Sequence, residues 1–172
     1  FPVSDGITIP YLVTSSVACG TLMQGMLADG LLPEYDSIHL LYLMPRDPIM
    51  MFFRDKEVTS LDGLKGLKIR TNTAGWTTFI EALGGVPTSV ATPDLYTSLE
   101  TGVIDGLVTS LGFFYPMKLT EVCKYALIEP MGASMNFTAM SNAAWDRLPA
   151  DLQMVLSKVS EKYFWKNLYH MT

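Results

Sequence analysis

Two cysteines and two histidines in 172 residues leave little material for metal or redox chemistry. Cys19 and Cys123 are too far apart in sequence to form a metal-spaced pair; free buried thiols are the simpler expectation, a disulfide the alternative. No HxxxH, GxSxG or glycine-rich phosphate loop occurs, which removes the usual signatures of a zinc hydrolase, a serine hydrolase and a nucleotide cradle. Basic residues are scarce, 12 Lys and Arg against 17 Asp and Glu, for a net charge of −5. A phosphate backbone would meet repulsion over most of such a surface, so a nucleic-acid partner is not expected. Long apolar runs are missing too. The most apolar stretch, residues 38–44, is interrupted by His39 and Tyr42 and closed by Pro45 and Arg46, far short of the roughly 20 residues a bilayer requires. No basic segment precedes an apolar stretch and a small-residue cleavage site; a secretory leader is therefore either absent or already removed, and the compartment stays open on that ground.

What the chain does contain is apolar material, 49% of its residues, enough to bury a substantial core. Its eleven methionines are scattered, which suits core filling better than a metal or peptide surface. The clearest order lies in the middle: a strand over 67–71, a helix over 74–83 ended by Gly84 and Gly85, and a strand over 86–90. Thr92, Pro93 and Asp94 then predict a helix with Thr92 as hydroxyl N-cap, stopped by Gly102, and a strand follows over 103–108. Strand-helix-strand-helix-strand is the pattern of a parallel α/β sheet with right-handed crossovers. On either side, strands are expected over 7–12, 38–44 and 137–140, with a helix within 16–29 that Gly20 and Gly25 weaken. A short helix capped by Ser141 should precede a long amphipathic one from Pro149 to the chain's end, its apolar side carrying Leu152, Val155, Leu156, Val159, Tyr163, Phe164 and Leu168.

Ligands of parallel sheets bind beyond the carboxyl ends of the strands, and Arg70 and Thr109 both fall at such ends. A guanidinium there offers a planar fork matched to a carboxylate; taken alone, an arginine after a strand is more often a surface ion-pair or packing residue. No catalytic set accompanies it. His39 lies in an apolar strand pattern, His170 in the terminal helix, and the Asp105-Gly106 pair suits a turn. Glu81 and Asp94 have no partner at dyad spacing.

The blocks SLDGLKGLKIR, ALGGVPTSVATPDLYTSLETGVIDG, EVCKYALIEP and SNAAWDRLPADLQMVL, in this order and spacing, resemble the DctP-type solute-binding proteins of TRAP (tripartite ATP-independent periplasmic) transporters. The resemblance implies a periplasmic-binding-protein-like α/β fold of two lobes joined by crossing strands. Lobe I would comprise residues 1–47 and 136–172, with the long C-terminal helix, and lobe II residues 48–135. Lobe I would be incomplete, because the family's opening strand-helix-strand portion has no counterpart before Phe1. The arginine closing the first block, Arg70, would bind the carboxylate of a small organic acid in the interlobe cleft, and the lobes would rotate to bury it.

Further ligand contacts implied by the resemblance are Asn72 in the small polar loop after Arg70, Thr109 in place of the family's frequent asparagine, and Thr92 where an aromatic residue is common. Met50 stands where some sugar-acid binders carry a second arginine, which disfavours a second carboxylate or a heavily hydroxylated ligand. Trp76, Phe113, Phe114 and Tyr115 would form an apolar wall, or else belong to the core. No cofactor, metal or catalytic residue is expected. The implied role is that of a periplasmic, monomeric transport protein handing its solute to membrane permease subunits. A sensory domain of the same fold and an α/β enzyme are the alternatives.

Overall fold

The computed structural model describes residues 3–170, with side chains through Leu168. In chain order its elements are α1 (Ser16–Ala28), β1 (Ile38–Pro45), β2 (Ile49–Phe53), β3 (Lys68–Arg70), α2 (Ala74–Ala82), β4 (Val86–Thr88), α3 (Leu95–Glu100), β5 (Gly106–Ser110), α4 (Leu111–Phe114), β6 (Tyr125–Gly132), β7 (Met135–Ser141), α5 (Asn142–Trp145) and α6 (Ala150–His170). The chain divides into two units. One takes the residues up to Ile7, Ser15–Asp47 and those from Ala133 onward; the other takes Thr8–Thr14 and Pro48–Gly132.

In the first unit β1 and β7 pair antiparallel, with an irregularity between Leu40 and Tyr42. Ser15 caps α1 by accepting from the Ala18 N–H at 3.4 Å. The glycine expected to weaken that helix has a packing role: a Cβ on Gly20 would lie 2.7 Å from Leu168 Cδ1 and 3.2 Å from Pro45 Cγ, so α1 meets α6 and the end of β1 through it. Ser141 caps α5 as expected, accepting from Ala144 N–H at 3.2 Å, and the His39 ring stacks on Trp145 at 3.6 Å. The long terminal helix is present, although 171–172 lie outside the described residues. Its apolar side is only partly covered: Phe164 and Leu168 are buried, whereas Leu152, Val155, Val159 and Tyr163 are 43–54% exposed.

The second unit is a five-stranded sheet in the order β4-β3-β5-β2-β6. The expected parallel core is there, β3 pairing parallel with β4 and β5. It is extended by β2 and β6, both antiparallel, which the sequence pattern did not announce. Side chains alternate across the sheet. Ile49, Met51, Phe53, Ile69 and Val108 form one core with Trp76 and Ile80 of α2. On the opposite face Met50, Phe52 and Leu107 pack with Leu95, Leu99 and Phe114.

Three expectations are corrected. Residues 7–12 form no strand: a 3₁₀ turn spans Ser4–Thr8, Pro10 brings no N–H, and Tyr11 sits at φ +63° while its own N–H bonds Met131 O at 2.6 Å. Thr92 is not a helix N-cap. It opens a 3₁₀ turn over Thr92–Asp94 that makes no side-chain cap bond, and α3 begins only at Leu95. The strand expected from 103 starts at Gly106, because Asp105 is engaged with Lys68: its N–H bonds Lys68 O, and its Oδ2 accepts from the Lys68 N–H, both at 2.8 Å.

Both cysteines are free thiols, and burial pushes Cys19 up to about 11 and Cys123 up to about 12. At pH 8 neither is a thiolate in the folded state, so Ellman's reagent should modify them slowly in the native protein and completely in guanidinium; equal rates would show that neither site is closed. Gly106 and Gly25 provide a second test. A Cβ on Gly106 would lie 2.5 Å from Phe52 O, a backbone atom, whereas one on Gly25 meets nothing within 4 Å. In urea unfolding, Gly106→Ala should cost about 2 kcal/mol or more, and Gly25→Ala should gain about 0.5–1 kcal/mol from the stiffer helix.

Candidate functional site

Three short parallel strands end together at one edge of the second unit, and the chain leaves β3 through Arg70. Lys68↔Val86 and Arg70↔Thr88 register β3 against β4; Arg70↔Leu107 registers it against β5. The Arg70 side chain is buried, 8% exposed. Its Nε–H donates to Val90 O at 3.4 Å, a long bond from the segment after β4. Among the described residues no carboxylate lies within ion-pair distance of it. Burial lowers its pKa from the usual arginine value, yet a guanidinium stays protonated throughout the physiological range. The site therefore holds a buried positive charge whose fork is not filled by an acid of the described residues.

The register decides which other candidates join it. Directly paired residues project to the same face, as do residues two apart on one strand. Leu107 lies opposite Arg70, Thr109 is two residues further along β5, and Met50 pairs with Thr109. Arg70, Thr109 and Met50 thus share a face. Met50 is buried there in the cluster of Phe52, Leu107 and Phe114, against which Phe113 is half-buried. Phe114 is itself core, its ring stacked on Phe52 at 3.9 Å, and Tyr115 is exposed.

Trp76 is on the other side. It is 1% exposed in the core that includes Ile69 and Ile80, and the core alternative describes its placement. Among the described residues its indole N–H has no hydrogen-bond partner. Thr92 is exposed on its 3₁₀ turn.

Asn72 opens onto a cavity of about 320 Å³ lined also by Thr71, Thr73, Ala74, Thr77, Pro87 and Ser89, at the start of α2. Thr73 caps α2 by accepting from Trp76 N–H at 3.4 Å, and the Thr71 and Thr77 hydroxyls lie 2.9 Å apart. Of these liners only Asn72 was singled out from the sequence. The clusters Thr71-Asn72-Thr73 and Thr88-Ser89, each placed just after a parallel strand, were the available signal for the others. A group of three or more His, Cys, Asp or Glu that could hold a metal is absent among the described residues. No helix of the described residues is long and apolar enough to cross a membrane.

A single family model, bacterial extracellular solute-binding protein, family 7 (DctP), matches residues 1–168. Among curated relatives, the C4-dicarboxylate-binding periplasmic protein DctP of Rhodobacter capsulatus is 28% identical over 152 residues, covering 87% of this chain and 46% of that protein. The structure of DctP7, a Bordetella pertussis extracytoplasmic solute receptor binding pyroglutamic acid, aligns with a TM-score of 0.84 at 25% identity, over 99% of this chain and 56% of the receptor. A TRAP solute-binding protein from Rhodoferax ferrireducens, in complex with copurified benzoate, aligns at 0.80 and 26% identity over 96% of this chain and 53% of that one. The chain thus spans about half the length of the curated relatives it matches. With the match running through nearly every residue, the chain belongs to the bacterial extracellular solute-binding protein family 7, the DctP family.

Proposed function

We propose that the polypeptide containing this chain is the solute-binding subunit of a TRAP transporter, which captures a small organic carboxylate outside the cytoplasm, in the periplasm, and delivers it to membrane permease subunits. The observation that carries this reading is Arg70: buried, charged, and without an acid partner among the described residues. Burying an unpaired cation is costly, and an incoming carboxylate recovers that cost through two parallel charge-assisted hydrogen bonds. Such a contact is worth about 1.5–3 kcal/mol, against about 8 kcal/mol for micromolar affinity. Shape and the remaining contacts supply the difference.

The face that Arg70 shares with Met50, Phe113 and Thr109 favours an acid with one carboxylate and a compact ring or apolar body. Pyroglutamic acid and benzoate, the acids of the Bordetella and Rhodoferax relatives, belong to that class. Met50 brings no charge for a second carboxylate. In this reading the protein acts as a monomer, without cofactor and without turnover.

Two measurements test the assignment in the full-length protein. By calorimetry against a panel of monocarboxylates, Arg70→Ala should abolish binding of the acid the parent retains, and Arg70→Lys should bind at least about tenfold more weakly, because a point charge cannot reproduce the fork. Unchanged affinity in either variant rejects the role. In ligand-free protein, Arg70→Met should unfold at or above the parent temperature, since it removes a desolvated charge. A loss of more than about 2 kcal/mol would instead make Arg70 a structural residue.

A further inference from the structure

The cavity of about 320 Å³ at the start of α2 has a hydrogen-bonding polarity set by three of its liners, Thr71, Thr73 and Thr77. Thr77 has a single hydroxyl proton and donates it to Thr73 O at 3.0 Å. The Thr71 and Thr77 hydroxyl oxygens are 2.9 Å apart, so the proton between them belongs to Thr71. What Thr71 Oγ still offers is a lone pair, an acceptor and never a donor. Among the described residues nothing donates to it. Thr71 is 8% exposed, so little bulk water reaches that lone pair. Asn72 and Ser89 also line the cavity but are exposed, and each can turn either a donor or an acceptor inward. The fixed, buried acceptor is the group that discriminates.

We infer that this cavity is a subsite for a hydrogen-bond donor, N–H or O–H, on the body of the captured acid, with Thr71 Oγ as its acceptor. The inference rests on the carboxylate reading above and narrows it, from small acids in general to acids with a donor beside the carboxylate. Thr71 follows Arg70 directly, their Cα atoms about 3.8 Å apart. Their side chains serve opposite faces of the sheet: Arg70 the face it shares with Leu107, Thr71 the face covered by α2. β3 ends at Arg70 and β4 at Thr88, so past them neither strand separates the two faces. A molecule seated beyond the strand ends meets both. A ring oxygen in place of the donor would set lone pair against lone pair and leave Thr71 unsatisfied at a buried position.

Isosteric pairs test this in the full-length protein: pyrrole-2-carboxylate against furan-2-carboxylate, and pyroglutamate against the lactone that has oxygen for its ring N–H. By calorimetry the N–H member of a pair should bind at least about tenfold more tightly. Thr71→Val should bring the two members within about threefold of each other, since the acceptor is gone. Thr77→Val should narrow the ratio as well, because Thr71 loses the partner that fixes its proton and can turn it toward a ring oxygen. A merely structural effect would weaken both members alike and leave the ratio unchanged. Equal binding of both members to the parent, binding of neither N–H member, or a ratio unmoved by Thr71→Val overturns the inference. Arg70→Ala separates it from the reading beneath. If that variant loses the acids while both members bind the parent equally, the carboxylate role stands and the donor subsite falls; if affinity survives in Arg70→Ala, the carboxylate role itself falls.

Discussion

A positive charge kept in a nearly dry place is the constraint around which the second unit is arranged. Arg70 ends β3 between two parallel neighbours, with its Nε–H on Val90 O and the rest of its fork free of protein carboxylates among the described residues. Such a residue is tolerated only if the scaffold holds it firmly, because the guanidinium would otherwise swing out to water. Packing supplies that firmness: Ile69, immediately before it, is fully buried on one face, while Leu107, opposite it, is fully buried on the other. The short strand is thus held on both sides before the arginine is reached.

The two units satisfy their apolar surface to different degrees. The sheet of the second unit is covered on both faces, by α2 on one and by α3 and α4 on the other. Edge strand β6 carries Pro130, whose missing N–H is harmless where, among the described residues, no further strand pairs. In the first unit α6 presents more apolar surface than α1 and β1 cover, and among the described residues β1 pairs only with β7. The sequence periodicity of α6 is sound, yet periodicity reports only what a helix can bury. It says nothing about whether the partner lies within the same 172 residues.

Local signals were legible where their physics is local. Ser141 caps α5 with a bond from the residue three positions on, Gly84 ends α2 with φ +79°, and the strand-helix alternation from β3 to β5 follows from turn residues and short apolar runs. The same reasoning failed at Thr92, because the chain tightened into a 3₁₀ turn before α3 could begin, and at residues 7–12, where Pro10 and a left-handed Tyr11 bend an otherwise strand-like run. β2 escaped notice because all five of its residues are buried, which erases the alternation that marks a half-exposed strand.

From sequence alone came the class of fold, the family resemblance and the arginine at a strand's carboxyl end, since each depends on residues within a few positions or on motifs in fixed order. Tertiary structure alone decided that Arg70, Thr109 and Met50 share a face, that Trp76 lies across the sheet from them, and that the arginine is buried with no acid beside it among the described residues. The reason is physical: strand register and burial are set by partners tens of residues away, and no pattern along the chain encodes which side chain a distant strand will bring alongside.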